Sequence, residues 1–281
     1  MDISVIIPTF NRRQVLPRAV RSVLGQKTSG IRSLKIIIAD DGSRDGSRAL
    51  IEQEFPSLTY LHWETQKGPS FARNQAVKHA RGEWLAFLDS DDEWKPSKLQ
   101  EQVHFFRENP DYRICQTDEI WIRNGVRVNA MKKHEKHGGW IFEHCLPLCV
   151  ISPSAVMLEK KLFNEVGGFD ESLPACEDYD LWLRISSKYP VGLIPKKCVL
   201  KYGGHADQRS REFPAMDRFR VRALEKILTS GELSPEKESQ AVRTLDQKTR
   251  ILLAGALKRG HSEEAESLMS LRSKYIPETV R

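Results

Sequence analysis

The sequence is poor in cysteine and has no pairing pattern for the few it contains. Cys115, Cys145, Cys149, Cys176 and Cys198 are an odd number with no CxxC spacing, which argues against a disulfide framework and a zinc knuckle and favours a reducing compartment. Long apolar runs are missing too. None approaches the ~20 residues of a membrane span, so membrane contact is expected to be peripheral at most. The chain enters an apolar strand almost at once, so no signal peptide is expected. Neither sign of charge dominates: 44 basic and 38 acidic residues leave +6. That balance suits an anionic substrate or an acidic membrane surface and argues against a dedicated nucleic-acid binder. No G-x-G-x-x-G follows the first strand, which argues against a dinucleotide oxidoreductase. Repeats and low-complexity tracts are absent.

What is present centres on Trp84–Trp94. Five apolar residues, Trp84 to Leu88, run into Asp89, Ser90, Asp91, Asp92 and Glu93. A short apolar run ending in acid reads as a buried strand open at one end. Clustered carboxylates repel unless a cation sits among them. A divalent metal and an acidic cap for the next helix both fit this stretch by itself.

The surrounding pattern favours the metal. Ser4–Ile7, Leu34–Ala39, Leu58–His62 and Trp84–Leu88 read as strands. Between them lie helices starting near Arg13 or Gln14, after Asp45 as N-cap, and from about Ser70 to Ala80. Such alternation requires parallel pairing with helices on both faces. Ligands bind such sheets beyond the carboxyl ends of the strands. Pro8-Thr9, Asp40-Asp41 and Asp89-Ser90-Asp91 are therefore expected along one edge.

Beyond Pro96 a helix runs to about Glu108. Tyr112–Thr117 and Ile120–Asn129 read as antiparallel strands with Asn124-Gly125 as a hairpin turn. Met131–Gly139 reads as a solvated loop, and its His134 and His137 as loop residues rather than metal ligands. Ser154–Leu158, Val191–Ile194 and Cys198–Tyr202 complete the sheet, and Glu177–Arg184 opens a helix. Met216–Leu228, Glu236–Leu257 and Glu263–Tyr275 have the spacing of three packing helices.

Five motifs occur in order: Pro8-Thr-Phe-Asn-Arg12, Asp40-Asp-Gly-Ser-x-Asp-Gly-Ser47, Gly68-Pro-Ser-x-Ala-Arg-Asn74, Phe87-Leu-Asp-Ser-Asp-Asp-Glu-Trp94 and Glu177-Asp-Tyr-Asp-Leu-Trp-Leu-Arg184. Together they resemble the family 2 glycosyltransferases of GT-A fold, over about residues 2 to 205. The resemblance implies an α/β Rossmann-like sandwich with a mainly parallel central sheet and, in this chain, a C-terminal helical extension. It divides the chain into a GT-A domain at 1–205 and the extension at 206–281. Within the domain, 1–92 would be the nucleotide-sugar half and 93–205 the acceptor half. It implies inverting transfer from a nucleotide diphosphate donor, a UDP-sugar as the leading class, to a glycan or lipid-linked acceptor. By family habit the work would be envelope or polysaccharide synthesis, in the cytoplasm or at the inner face of the membrane.

The resemblance also distributes roles. Asp91, then Asp89, would hold Mn²⁺ or Mg²⁺ against the leaving diphosphate. His205 matches a C-terminal histidine that completes this site in some members, although the surrounding Gly203-Gly-His-Ala-Asp departs from many of them and also reads as a turn. Pro8, Thr9, Phe10, Arg12 and Ser90 would line the nucleotide-sugar site. Asp41, or Asp40, would accept a base N–H, although both also suit a turn before Gly42. Arg73 would reach donor phosphate, or remain an ordinary helix arginine. Asp178 would be the general base; Asp180 shares the first helical turn, and only the motif separates the two. Three rivals stand beside this reading. A sugar-1-phosphate nucleotidyltransferase lacks support because no glycine-rich basic signature follows the first strand. An aspartate phosphohydrolase is disfavoured by Glu93. A non-catalytic nucleotide-sugar binder is opposed by the intact set Asp41, Asp91 and Asp178.

Overall fold

The computed structural model of the chain describes residues 1–129, 131–204, 212–213 and 215–276. The first half alternates as its apolar periodicity requires: β1 (Asp2–Thr9), α1 (Leu16–Leu24), β2 (Ser33–Asp40), α2 (Ser47–Glu54), β3 (Thr59–His62), α3 (Pro69–His79) and β4 (Trp84–Phe87). These strands lie in the order β3-β2-β1-β4, all parallel. Their register sets Thr9 beside Asp40 and Asp40 beside His62, so the carboxyl ends share one edge.

Past β4 the direction reverses. β8 (Val156–Glu159) pairs antiparallel with β4, and β6 (Ile114–Arg123) antiparallel with β8. β9 (Gly192–Gly203) runs parallel to β6, and β5 (Glu93–Trp94) closes the path against β9. The longest pairings, β1 with β2 and β6 with β9, are both parallel.

Two of the expected strand pairs are single strands. Asn124-Gly125 is indeed the turn, but it joins β6 to the short β7 (Val126–Val128); Ile114 to Arg123 continues without a break. Likewise Gly192 to Gly203 is one strand. Its register against β6 slips between Thr117 and Glu119, opposite Pro195 and Lys196. Proline cannot donate to the ladder, so the local pattern reads as a gap, whereas the chain bulges and continues. At α2, Gly46 is the N-cap in the left-handed region; Asp45 sits one residue earlier and accepts from the Ser47 amide at 3.0 Å and the Arg13 amide at 2.9 Å.

Alternation along the strands builds two cores. Val5, Ile7, Ile36 and Ile38 face α1 and α4 (Lys98–Glu108), represented by Val20, Leu99 and Val103. Ile6, Ile37 and Phe87 face the other way. They share a cluster with α3, α5 (Phe142–Cys145), α6 (Lys160–Glu165) and α7 (Glu177–Ser186). The same cluster takes in Phe219, Leu224 and Ile227 from α8 (Asp217–Thr229), and Leu245 and Leu252 from α9 (Pro235–Arg259). α9 has the ends its sequence prescribes: Ser234 as N-cap, Pro235 in the first turn and Gly260 left-handed at the C-cap. α10 (Ser262–Tyr275) folds back on it through Arg272, which holds Asp246 at 2.7 Å. Among the described residues, no helix is long and apolar enough to cross a membrane.

Candidate active site

A cavity of about 840 Å³ lies at the shared carboxyl edge. The loop after β1 brings Pro8, Thr9, Phe10 and Arg12 into its wall. Asn11 adopts a left-handed backbone (φ 51°), which asparagine tolerates better than most residues. That turn lets its amide donate to Ser43 Oγ at 2.8 Å and its side-chain oxygen accept from the Arg44 amide at 2.9 Å. The loops after β1 and β2 are thus fastened to each other.

The two aspartates after β2 part company. Asp41 lines the cavity, and its carboxylate accepts the amides of Lys67 (2.9 Å) and Gly68 (2.7 Å), shaping the entry to α3. Asp40 is fully buried and points away from the cavity lining. It accepts from the Ser43 amide at 2.9 Å, from the Ser43 hydroxyl and from Tyr60 Oη at 2.9 Å, and it meets His62 Nδ1 at 2.8 Å. Its expected place among the nucleotide ligands is therefore corrected: Asp40 is an internal hub, because a carboxylate buried at a central strand end must have its lone pairs filled by protein.

At the end of β4, Asp89, Ser90, Asp91 and Asp92 all reach the cavity wall. Asp89 accepts from Arg73 Nη2 at 2.8 Å, and its own amide donates to Ser154 Oγ at 3.1 Å. Asp91 lies 3.8 Å from Arg12 Nη2. Asp92 is buried; it takes the Ser154 hydroxyl at 2.6 Å and the Tyr202 amide at 3.0 Å, and burial pushes its pKa well up despite the opposing charge of Lys201. Asp92 therefore anchors the acidic turn to β9 instead of leading into α4.

Arg73 lines the cavity as well, with its guanidinium engaged by protein. Its second terminal nitrogen binds Glu177 Oε1 at 2.9 Å, so both ends of the buried guanidinium are held by carboxylates. It braces β4 against α7 at the wall of the cavity. Burial raises the Glu177 pKa against the pull of Arg73. Just before Glu177, Cys176 adopts a left-handed backbone (φ 61°), uncommon for any residue but glycine and asparagine. That turn delivers Asp178 to the cavity, where Cys149 Sγ donates to its Oδ2 at 3.3 Å. Asp180 goes elsewhere. It is buried and paired with Arg184 at 2.6 Å and Lys226 at 3.1 Å, away from the cavity. Of the two aspartates in this helical turn, Asp178 lines the cavity and Asp180 does not.

Lys201 and Tyr202 line the same cavity and were not anticipated. Lys201 donates to Ser152 Oγ at 3.0 Å. Burial disfavours its charge, but Glu119, Asp92 and Asp89 outweigh that and raise its pKa. Arg18 stacks over the Tyr202 ring at 3.7 Å and donates to the Asp91 carbonyl. The available signal was positional: both residues follow the apolar run Cys198-Val-Leu200, as Asp89 follows its own. His205 lies outside the described residues.

Among the described residues, no three His, Cys, Asp or Glu side chains gather as a metal cage. The donor chemistry nevertheless fits a hard cation that completes its shell with a bound diphosphate and water. Asp91 supplies carboxylate oxygen to the cavity, with Asp89 beside it, held by Arg73. The nearby thiols do not compete as soft ligands, because burial raises Cys149 and lifts Cys176 to about 12.

Residues 4–166 match the family model described as Glycosyl transferase family 2. The chain is 40% identical over 205 residues to the putative teichuronic acid biosynthesis glycosyltransferase TuaG of Bacillus subtilis, covering 71% of this chain and 78% of that one. It is 34% identical over 197 residues to an uncharacterized glycosyltransferase of Rickettsia conorii, covering 69% of this chain and 32% of the relative, so it spans about a third of that protein's length. In structure it resembles Staphylococcus aureus TarS 1–349 in complex with UDP-GlcNAc (TM-score 0.74, 19% identity, 100% of this chain and 83% of that one). It also resembles the mannosyltransferase PcManGT of Pyrobaculum calidifontis in complex with GDP-Man and Mn²⁺ (TM-score 0.63, 16% identity, 99% and 81%). At those identities the structural likeness concerns the fold. With the family model covering more than half of its length, the chain belongs to glycosyl transferase family 2 and has the GT-A fold.

Proposed function

We propose that the enzyme moves a sugar from a nucleotide diphosphate donor, with a UDP-sugar as the donor class, to a glycan hydroxyl with inversion at the anomeric carbon. The observation that carries this is the arrival of Asp91 and Asp178 in one cavity from segments far apart in sequence. A single displacement needs charge neutralisation where the diphosphate leaves and a carboxylate to take the acceptor proton. Asp178, with Cys149 donating to it, fills the second role. Asp91, seconded by Asp89, holds Mn²⁺ or Mg²⁺ for the first. The bound cation supplies positive charge to the departing oxygens. Pro8, Thr9, Phe10, Arg12, Ser90 and Asp41 receive the nucleotide-sugar, which makes 1–92 the donor half and 93–205 the acceptor half. The named role of TuaG supports a product in polysaccharide synthesis. The five free cysteines support a reducing, cytoplasmic setting.

The test is a thermal-shift panel of UDP-, GDP- and dTDP-sugars with and without Mn²⁺, since a ligand that binds the folded state raises the melting temperature. UDP-sugars with Mn²⁺ should give the largest shift. A shift indifferent to Mn²⁺ and to Asp91→Ala would refute the metal role, and a larger shift with GDP-sugars would refute the donor class.

A further inference from the structure

A second cavity, of about 500 Å³, is walled by β6, β7, residues 131–136 and the first half of β9, and the transfer site makes no use of it. One wall is built from buried charge. Glu119 and Lys136 have side chains 7% and 5% exposed and pair at 3.4 Å. Lys136 also donates to Gln116 Oε1 at 3.2 Å and to the Val150 carbonyl at 3.3 Å. Trp121 Nε1 donates to Glu119 Oε1 at 2.8 Å, while Glu119 Oε2 is the oxygen that faces the Lys136 ammonium. A buried ion pair is weak evidence for stability, since apolar replacements of similar volume often do as well or better. Its presence beside a cavity points to recognition.

The rest of the lining suits a sugar ring. The Trp121 and His134 rings stand 4.9 Å apart, with Leu193 and Met131 supplying apolar surface. Asn129, Arg127 and Lys132 offer hydrogen-bonding groups, and among the described residues the side chains of Arg127 and Lys132 make no ion pair. Specific small-molecule sites combine apolar and aromatic walls with a few placed polar groups in this manner.

Position supplies the link to transfer. Trp121 lines this cavity, Lys201 lines the transfer cavity, and the two are register partners on β6 and β9. Adjacent strands lie about 4.8 Å apart, so the linings of the two cavities adjoin at this rung of the sheet. We propose that the second cavity is a subsite for an internal saccharide unit of the acceptor, whose terminal unit presents its hydroxyl in the transfer cavity. The acceptor is accordingly an oligosaccharide chain. This inference rests on the proposed transfer reaction for its role, but the binding it asserts can be measured without turnover.

The experiment is calorimetric titration of the intact chain with chitotetraose, cellotetraose and tetragalacturonate, with UDP plus Mn²⁺ titrated in parallel. At least one tetrasaccharide should bind. Trp121→Ala should weaken that binding by about tenfold or more, and the exposed Arg127→Ala by about threefold, with UDP affinity unchanged in both. Arg127→Ala guards against misfolding at Trp121, and melting curves check both proteins. Absence of binding by all three tetrasaccharides, or equal binding to both folded variants, would overturn the subsite. Failure of UDP to bind while a tetrasaccharide still binds through Trp121 would overturn the donor reading and leave the subsite standing.

Discussion

Arg73 and Glu177 meet at 2.9 Å across 104 residues of sequence. The same guanidinium holds Asp89 at 2.8 Å. One side chain on α3 therefore fixes the distance between the acidic end of β4 and the first turn of α7, which are the two places that supply Asp91 and Asp178.

Removing that brace should be severe. Arg73→Ala leaves the buried Glu177 without its countercharge and Asp89 without its restraint, so unfolding free energy in urea should fall by about 3–5 kcal/mol. Arg73→Lys should recover only part of this, because an ammonium cannot span both carboxylates as a planar fork does. A loss below about 1 kcal/mol for Arg73→Ala would show that the bridge carries little.

Neighbouring aspartates should fail in different ways. Asp40→Ala strands the Tyr60 hydroxyl and the Ser43 amide inside the fold and should lower stability by about 3 kcal/mol. Asp41→Asn gives up one acceptor for the Lys67 and Gly68 amides, costing about 1 kcal/mol, and should weaken UDP binding measurably. Equal melting temperatures for wild type and Asp40→Ala would contradict the hub.

The base assignment separates Asp178 from Asp180. Asp178→Asn should retain nucleotide binding by calorimetry while product formation falls by about 10²–10⁴. Asp180→Asn should instead weaken the contacts to Arg184 and Lys226 and lower the melting temperature. Native turnover by Asp178→Asn would move the base elsewhere.

Lys98 predicts a pH dependence of stability. It is fully buried, with its ammonium 3.7 Å over the Trp94 ring and donating to the Val156 carbonyl at 3.1 Å. Burial lowers its pKa from 10.5 to about 7. Between those values the unfolded chain binds a proton that the folded chain does not, so stability rises with pH across pH 7 to 10.5 and the full penalty applies below 7. The penalty is at most about 5 kcal/mol, reduced by the ring and the carbonyl, which favour the ammonium. Lys98→Met should be more stable than wild type by about 1–3 kcal/mol at pH 6, with the gap closing toward pH 10. Denaturant curves at several pH values measure it, and a gap constant with pH would remove Lys98 as the cause.

Period-two and helical patterns made the parallel half legible, because each strand there feeds a helix and ends in turn chemistry. That Asp41, Asp91 and Asp178 would come to the cavity was readable for the same reason: they stand at the ends of such elements. The partners that hold Asp40 and Arg73, namely Tyr60, His62 and Glu177, were hidden because tertiary contact brings them in. The continuity of β6 and β9 was hidden by Pro195 and by polar residues that look like loop when the opposing strand is unknown. Lys201, Tyr202 and Cys149 carried no motif, and their place in the cavity follows from strand register and from the turn before α7.

Order of synthesis gives the C-terminal helices a further consequence. Lys226 on α8 holds Asp170 and Asp180, Lys237 on α9 donates to the Ser187 carbonyl, and Phe219 and Leu245 complete the cluster that contains Phe87. All the residues that shape the cavity edge at Asp178 thus leave the ribosome before the helices that cover α7 from behind. Until α8 and α9 emerge, a nascent chain exposes one apolar face of the sheet-and-helix layer. Residues 217–259 therefore decide when the preceding layer can settle into a single cooperative unit.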